Sequence, residues 1–259
     1  MSSDAMVGDR LAASAGHAWW SYKGLFSWLN VRGYVASRII KPIGLSLVFY
    51  EMAAQYTRSA DYVIATAAVL TVTTSIAFGG SLATGNERLY ETLRTWQRSP
   101  IGKVRSTVLR LLPHLVDGFI SGTITYLICC LLLWRWPLPF LTVAGVLALA
   151  AVGVAGAALA LSGLAVILRD PFGAPNMLQL LYTIAGGSLV LFRDLPAPLQ
   201  YVADALPASY ITRWCADEVA RQPSPFQWLA FTLVTIAWLG AGLLVVAVVH
   251  RSIERPGSS

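Results

Sequence analysis

The sequence predicts an all-α fold, a polytopic membrane helix bundle with six transmembrane helices. Three observations carry that prediction. The 259 residues are 56% hydrophobic and only 12% charged, whereas a water-soluble domain carries about 25% charged residues. The apolar residues are gathered into runs long enough to cross a hydrocarbon core, and too long for barrel strands. Lipid offers no partner to a bare backbone, so such runs must be helices. The 19 basic residues lie mostly between the runs, so the net charge of +6 reads as orientation charge rather than a nucleic-acid site.

We read residues 1–259 as a single transmembrane domain. The first eighteen residues are small and polar, without the apolar core of a cleavable signal peptide. Residues 18–38 follow, with Trp19, Tyr22, Phe26 and Leu29 at helical spacing and Lys23, Ser27 and Asn30 on another face. That pattern, with Trp20 and Trp28 nearby, predicts an amphipathic helix lying in the membrane interface. The expected spans are 39–56, 62–82, 108–134, 138–168, 174–192 and 226–249. Trp134 and Trp136 beside Pro137 and Pro139 mark an outer boundary. Gly153, Ala157, Gly156 and Ala160 are small residues four apart, which predicts close helix packing.

An even number of spans puts both termini on one side. That side holds Arg10, Lys23, Arg32, Arg38, Lys41, Arg88, Arg94, Arg98, Lys103, Arg105, Arg110, Arg169, Arg251 and Arg255. The other holds only Arg58, Arg135, Arg193, Arg213 and Arg221. The richer side is expected to be cytoplasmic, which predicts a multi-pass protein of the cell membrane with both termini inside.

Two acidic residues fall within spans. A charge at mid-bilayer costs about 2.5–3.5 kcal/mol on insertion scales, so Glu51 and Asp117 need partners or water. Asp117 follows Arg110 and His114 at helical spacing, which suits a local network; the alternative is a polar lining of a transport path. Glu51 is expected either to meet Arg193 or Arg213 or to face such a path. Tyr182 is a third path candidate. Cys129, Cys130 and Cys215 read as small buried apolar residues. His17, His114 and His250 are too dispersed to predict a metal site or a catalytic triad.

The loop after the second span carries the most information. Asn86 gives a helix-start signal, Glu87 and Glu91 precede Arg94 and Arg98, and Ser99-Pro100 ends the pattern. Leu89, Leu93 and Trp96 share one face. A short amphipathic cytoplasmic helix is expected over 86–98, resting on the membrane surface or docking into a partner.

At this point the chain resembles the permease subunits of type 2 ATP-binding-cassette (ABC) exporters. That family has an acidic residue in this loop, a Gly-Thr-Leu-Glu-like stretch, a terminal Thr/Ser-Pro and often Gly-Lys at the next span. Glu87, Glu91-Thr92-Leu93, Ser99-Pro100 and Gly102-Lys103 match, with Glu91 standing where the family has glycine. The proline-rich stretch from Phe192 to Gln200 and Ala205 to Tyr210 resembles the family's pair of short helices dipping into the outer leaflet, so 193–225 is expected to be an outer re-entrant segment.

The resemblance implies a mechanism. Two permease subunits would pair, as a homodimer, each holding a separate nucleotide-binding ATPase subunit. The 86–98 segment would be the coupling helix, with Glu87, Arg88, Glu91, Thr92, Leu93, Arg94 and Trp96 meeting the ATPase. In that arrangement Arg88, Arg94 and Arg98 would pair with acidic groups, and Leu93 and Trp96 would fill apolar pockets. The first, second and fifth spans would line the path. ATP and Mg²⁺ would be bound by the partner, since Gly102-Lys103-Val104 lacks the setting of a phosphate-cradling loop, and no cofactor or metal is expected in this chain. Path-forming runs rich in Leu, Val, Ala and aromatics suit export of a hydrophobic drug or secondary metabolite. A lipid-linked glycan or polysaccharide is the alternative cargo. A stand-alone secondary transporter would show internal repeats and more ionisable residues at mid-depth.

Overall fold

A computed structural model describes residues 16, 18–24, 31–56, 60–98, 102–168, 170–188, 190–217 and 224–254. Phe26, Ser27, Trp28, Leu29, Asn30, Arg58, Ser99-Pro100, Arg169 and Arg221, all used in the sequence reading, lie outside these residues. The described chain is all-helical, with no strand among the described residues.

Helix α1 covers 18–24. Helices α2 (Val31–Val35) and α3 (Lys41–Tyr56) are joined by a π-helical turn, Ala36–Ile40, into one helical stretch. Then follow α4 (Tyr62–Leu89), α5 (Leu93–Arg98), α6 (Lys103–Leu133), α7 (Phe140–Ala165) and α8 (Gly173–Ile184). The chain closes with α9 (Ala197–Asp204), α10 (Pro207–Asp217) and α11 (Pro225–Glu254).

Among the described residues four helices, α4, α6, α7 and α11, are long and apolar enough to cross a membrane. Helix α4 is the centre of the bundle. Its apolar window is 89% buried, against 22% for α11 at the edge. It packs against α6 and α7, while α7 carries α11 on its other side.

Backbone proximity sets these contacts. A Cβ on Gly156 of α7 would lie 2.3 Å from the backbone of Trp238 on α11, and one on Gly242 of α11 would meet the Gly156 carbonyl at the same distance. On the α4 face of α7, a Cβ on Gly80 would lie 2.8 Å from the Ala158 carbonyl. Ser162 and Thr84 then bridge the two helices, donating to Gly80 O and Ser162 O respectively. The small-residue pattern read on α7 is therefore a packing device, as close approach requires.

Several expected boundaries shift. The fifth span was placed at 174–192, but α8 ends at Ile184 after 12 residues, about 18 Å of helix. The cause is Gly186-Gly187. Gly187 takes φ +78, which favours glycine, and Thr212 on α10 donates to Gly186 O. The first span, placed at 39–56, is the end of a longer helical stretch that begins at Val31. Two short helices, α9 and α10, do follow the proline-rich stretch, and α10 packs against α4 and α7 with Ala208 and Ile211 fully buried. At the α6–α7 corner Trp134 and Trp136 are exposed. There Tyr126 Oη donates to Leu138 O at 2.7 Å and accepts from Leu138 N–H at 3.2 Å.

Candidate functional site: the α4–α5–α6 corner and the buried charges

The 86–98 segment is not one helix. Helix α4 runs on through Leu89, so Asn86 lies inside it rather than starting a new helix. The break falls at Tyr90-Glu91-Thr92, and α5 is a six-residue helix beginning at Leu93. Glu91 takes φ +57, a left-handed conformation unusual for a residue with a Cβ. Glu91 thus stands at a position where the backbone favours glycine.

Glu87 faces its own chain. Arg110 Nη1 donates to Glu87 Oε1 at 2.6 Å and to Ala83 O at 2.9 Å. Thr92 Oγ1 donates to Glu87 Oε2 at 2.5 Å, closing the bend. Arg88 is also engaged: its Nη1 donates to Ile167 O at 2.6 Å and to Val166 O at 3.3 Å, covering carbonyls at the end of α7. Such capping of terminal carbonyls by a cation is favourable. Arg88 is therefore a clamp between α4 and the end of α7.

Trp96 lies away from its expected place. It was expected to fill a partner's pocket, but it is 6% exposed within its own chain. Its indole N–H donates to Ser106 Oγ at 3.2 Å, and Lys103 Nζ donates to Trp96 O at 2.8 Å. His250 of α11 meets its ring edge-on at 4.9 Å between centroids, and Arg110 lies 5.3 Å from the ring centre. Val166 and Val249 complete the cluster, with Leu93 half-buried against it. The aromatic area covered in this way makes Trp96 an internal anchor. Tyr90, Glu91, Arg94 and Arg98 remain exposed on the outer side of the corner.

The buried acid Asp117 also finds a different partner. Arg110 goes to Glu87, and Asp117 meets Arg38 instead, with Arg38 Nε 3.6 Å from Asp117 Oδ2. Tyr34 Oη donates to Asp117 Oδ1 at 2.5 Å. Arg38 also donates to Ser75 O of α4 at 3.3 Å. Burial, reinforced by the Asp117 charge, holds the Tyr22 hydroxyl above the usual phenol range. His114 lies in the same region, its ring 5.2 Å from that of Tyr22. A network surrounds Asp117, but in place of the expected Arg110 it is built from Tyr34 of α2 and Arg38 of the π-helical turn.

Glu51 is exposed on α3. Neither expected arginine pairs with it: Arg213 takes Asp204 at 2.7 Å and stacks on Phe192, and Arg193 lies 3.9 Å from Asp194. Tyr182 is 2% exposed, inside the bundle rather than on an open surface. No group of His, Cys, Asp or Glu among the described residues could hold a metal ion. The three cysteines are buried and free.

A partly open groove lies between α3, α4 and α8. Leu45, Phe49, Leu70, Phe78 and Phe172 form its apolar walls; Ser46, Thr71, Thr74 and Gln179 add polar atoms, and Arg38 and Lys41 add charge. Sequence reasoning singled out none of these residues as a lining. The signal was present in α4, where Ala67, Leu70, Thr71, Thr74, Ser75, Phe78 and Leu82 recur at helical spacing. No family model matches the chain, and no curated protein matches it.

Proposed function

We propose that the chain is the membrane subunit of an ATP-driven exporter of the type 2 ABC kind. The observation that carries this reading is the α4–α5–α6 corner. Helix α6 has 31 residues and α4 has 28, about 46 and 42 Å of helix. A hydrocarbon core is about 30 Å thick, so each extends beyond it by about 12–16 Å. With the outer boundary at Trp134 and Tyr62, that surplus lies at the α5 end, lifting the corner clear of lipid into the cytoplasm. There it offers Tyr90, Glu91, Arg94 and Arg98 to a separate ATPase subunit that binds ATP and Mg²⁺.

In this reading α3, together with the α2–π stretch before it, and α8 make the first and fifth of six crossings. Both termini are cytoplasmic, and α9–α10 lie at the outer side. Two copies pair around a path that includes the α3–α4–α8 groove. The apolar walls of that groove favour a hydrophobic drug or secondary metabolite as cargo.

The mechanism follows from how the corner is fastened. Trp96 ties α5 to the start of α6 and, through His250, to the end of α11, while Arg88 ties the end of α4 to α7. A push on the exposed ridge therefore reaches four long helices rather than bending a loop. The test is to express the chain with its cognate ABC ATPase subunit in vesicles. Arg94→Glu with Arg98→Glu is expected to weaken ATPase association at least about tenfold, since lost charge pairs and added repulsion act together. ATP-dependent efflux of a hydrophobic dye should fall with it. Efflux by the chain alone, driven by a proton gradient, would reject the reading.

A further inference from the structure

We propose that the α3–α4–α8 groove selects an anionic amphiphile, a free single-chain organic acid whose acidic head meets Lys41 and whose tail lies against Phe49 and Phe78. This inference rests on the export reading, and narrows its cargo. The residues of the π-helical turn and α3 that face the groove, Arg38 and then Lys41, Pro42, Leu45, Ser46 and Phe49, recur at helical spacing, so charge and apolar surface share one stripe. Helices α3 and α4 are antiparallel neighbours, and Arg38 reaches Ser75 O of α4. The two cations therefore lie toward the α5 end of the groove, with Phe49 farther along.

Charge complementarity sets the sign of the head. Arg38 and Lys41 line the groove, and no carboxylate does among the described residues. Asp117 offsets Arg38 from behind at 3.6 Å, whereas Lys41 is exposed and forms no ion pair among the described residues. An ammonium at the mouth of an apolar groove attracts an anion more strongly than it would in bulk water. It also disfavours a cationic amphiphile with the same tail. The hydroxyls along the groove do not counter this preference. Ser46 donates to Pro42 O at 2.7 Å, Thr71 to Ala67 O at 2.9 Å and Thr74 to Thr71 O at 3.2 Å. With their hydrogens turned to their own helices, they offer acceptor lone pairs to hydroxyl or amide groups along the body of the cargo.

The test uses the full chain in phosphatidylcholine nanodiscs, without ATPase or ATP. A diazirine-bearing dodecanoate is photolysed and the labelled peptides are mapped. Labelling is expected on α3 and α4 around Phe49 and Phe78. Dodecanoate should displace the probe about tenfold better than dodecyltrimethylammonium, as one charge-assisted contact warrants. Lys41→Gln should abolish that difference while dodecanol competes as before, and Lys41→Glu should reverse it. Equal displacement by both head groups, an unchanged preference in Lys41→Gln, or labelling confined to the outward faces of α6 and α11 would overturn the proposal. Phosphatidylglycerol displacing the probe as well as dodecanoate would also overturn it, making the occupant a membrane lipid rather than a cargo. Because no ATPase is present, failure here leaves partner-dependent hydrolysis intact, and failure of that hydrolysis leaves the binding preference intact.

Discussion

Glu91 carries a backbone conformation that its side chain does not favour. A residue with a Cβ at φ +57 costs about 1–2 kcal/mol relative to glycine in the folded state. Glycine returns about 0.5–1 kcal/mol of that through its freer unfolded chain. Glu91→Gly is therefore expected to raise stability by roughly 0.5–1 kcal/mol, read as a higher midpoint in unfolding by sodium dodecyl sulfate. Glu91→Ala keeps the Cβ and should show no such gain. A gain of equal size in both variants would trace the effect to the carboxylate instead. Trp96 makes a related point at the same scale. Its helical spacing with Leu93 marked an apolar face, but spacing does not say whose surface covers that face. Here the cover comes from Ser106, Lys103 and Arg110 close in sequence, and from His250 far away in it.

An ion pair in the bundle interior ties the α2–π–α3 stretch to α6. Arg38 and Asp117 are 10% and 4% exposed at their side chains, and removing one partner of such a pair leaves a buried charge uncompensated. Asp117→Leu is expected to destabilise by about 3–5 kcal/mol. The double variant Arg38→Met with Asp117→Leu should recover most of that loss, because two apolar groups of similar size can replace a buried pair at little cost. Unfolding midpoints of the two singles and the double measure the coupling directly. Additive losses would mean that the pair contributes no mutual stabilisation. The elements also explain the shifted boundaries. Helix α4 continues through Asn86-Glu87-Arg88 because Arg110 and the α7 carbonyls hold its last turn, and a local start signal does not outweigh those long-range contacts. Helix α8 stops early because Gly186-Gly187 and Thr212 turn the chain toward α10.

The whole molecule makes a prediction about sidedness. The α5 corner and the α9 helix lie at opposite ends of the bundle, with Thr95 exposed at one and Tyr201 76% exposed at the other. Cys129, Cys130 and Cys215 are each about 1% exposed or less, so they should stay silent to a polar maleimide. In intact cells Tyr201→Cys is expected to label, and Thr95→Cys only after permeabilisation. The reverse pattern would overturn the proposed topology and leave the corner unable to meet the proposed ATPase.

Composition and run length together were enough to predict an apolar helical bundle, because runs too long for barrel strands can satisfy their own backbone only as helices. Helical spacing likewise marked the glycine and alanine contacts of α7, since one helix's own period places small residues on one face. The partners were decided elsewhere. Arg38 for Asp117, Arg110 for Glu87 and His250 for Trp96 are separated by 79, 23 and 154 positions respectively, and no local pattern links them. The groove between α3, α4 and α8 has the same origin. Each helix carries part of its lining, but a cavity exists only once three separate stretches are packed side by side, and packing is a property of the tertiary structure.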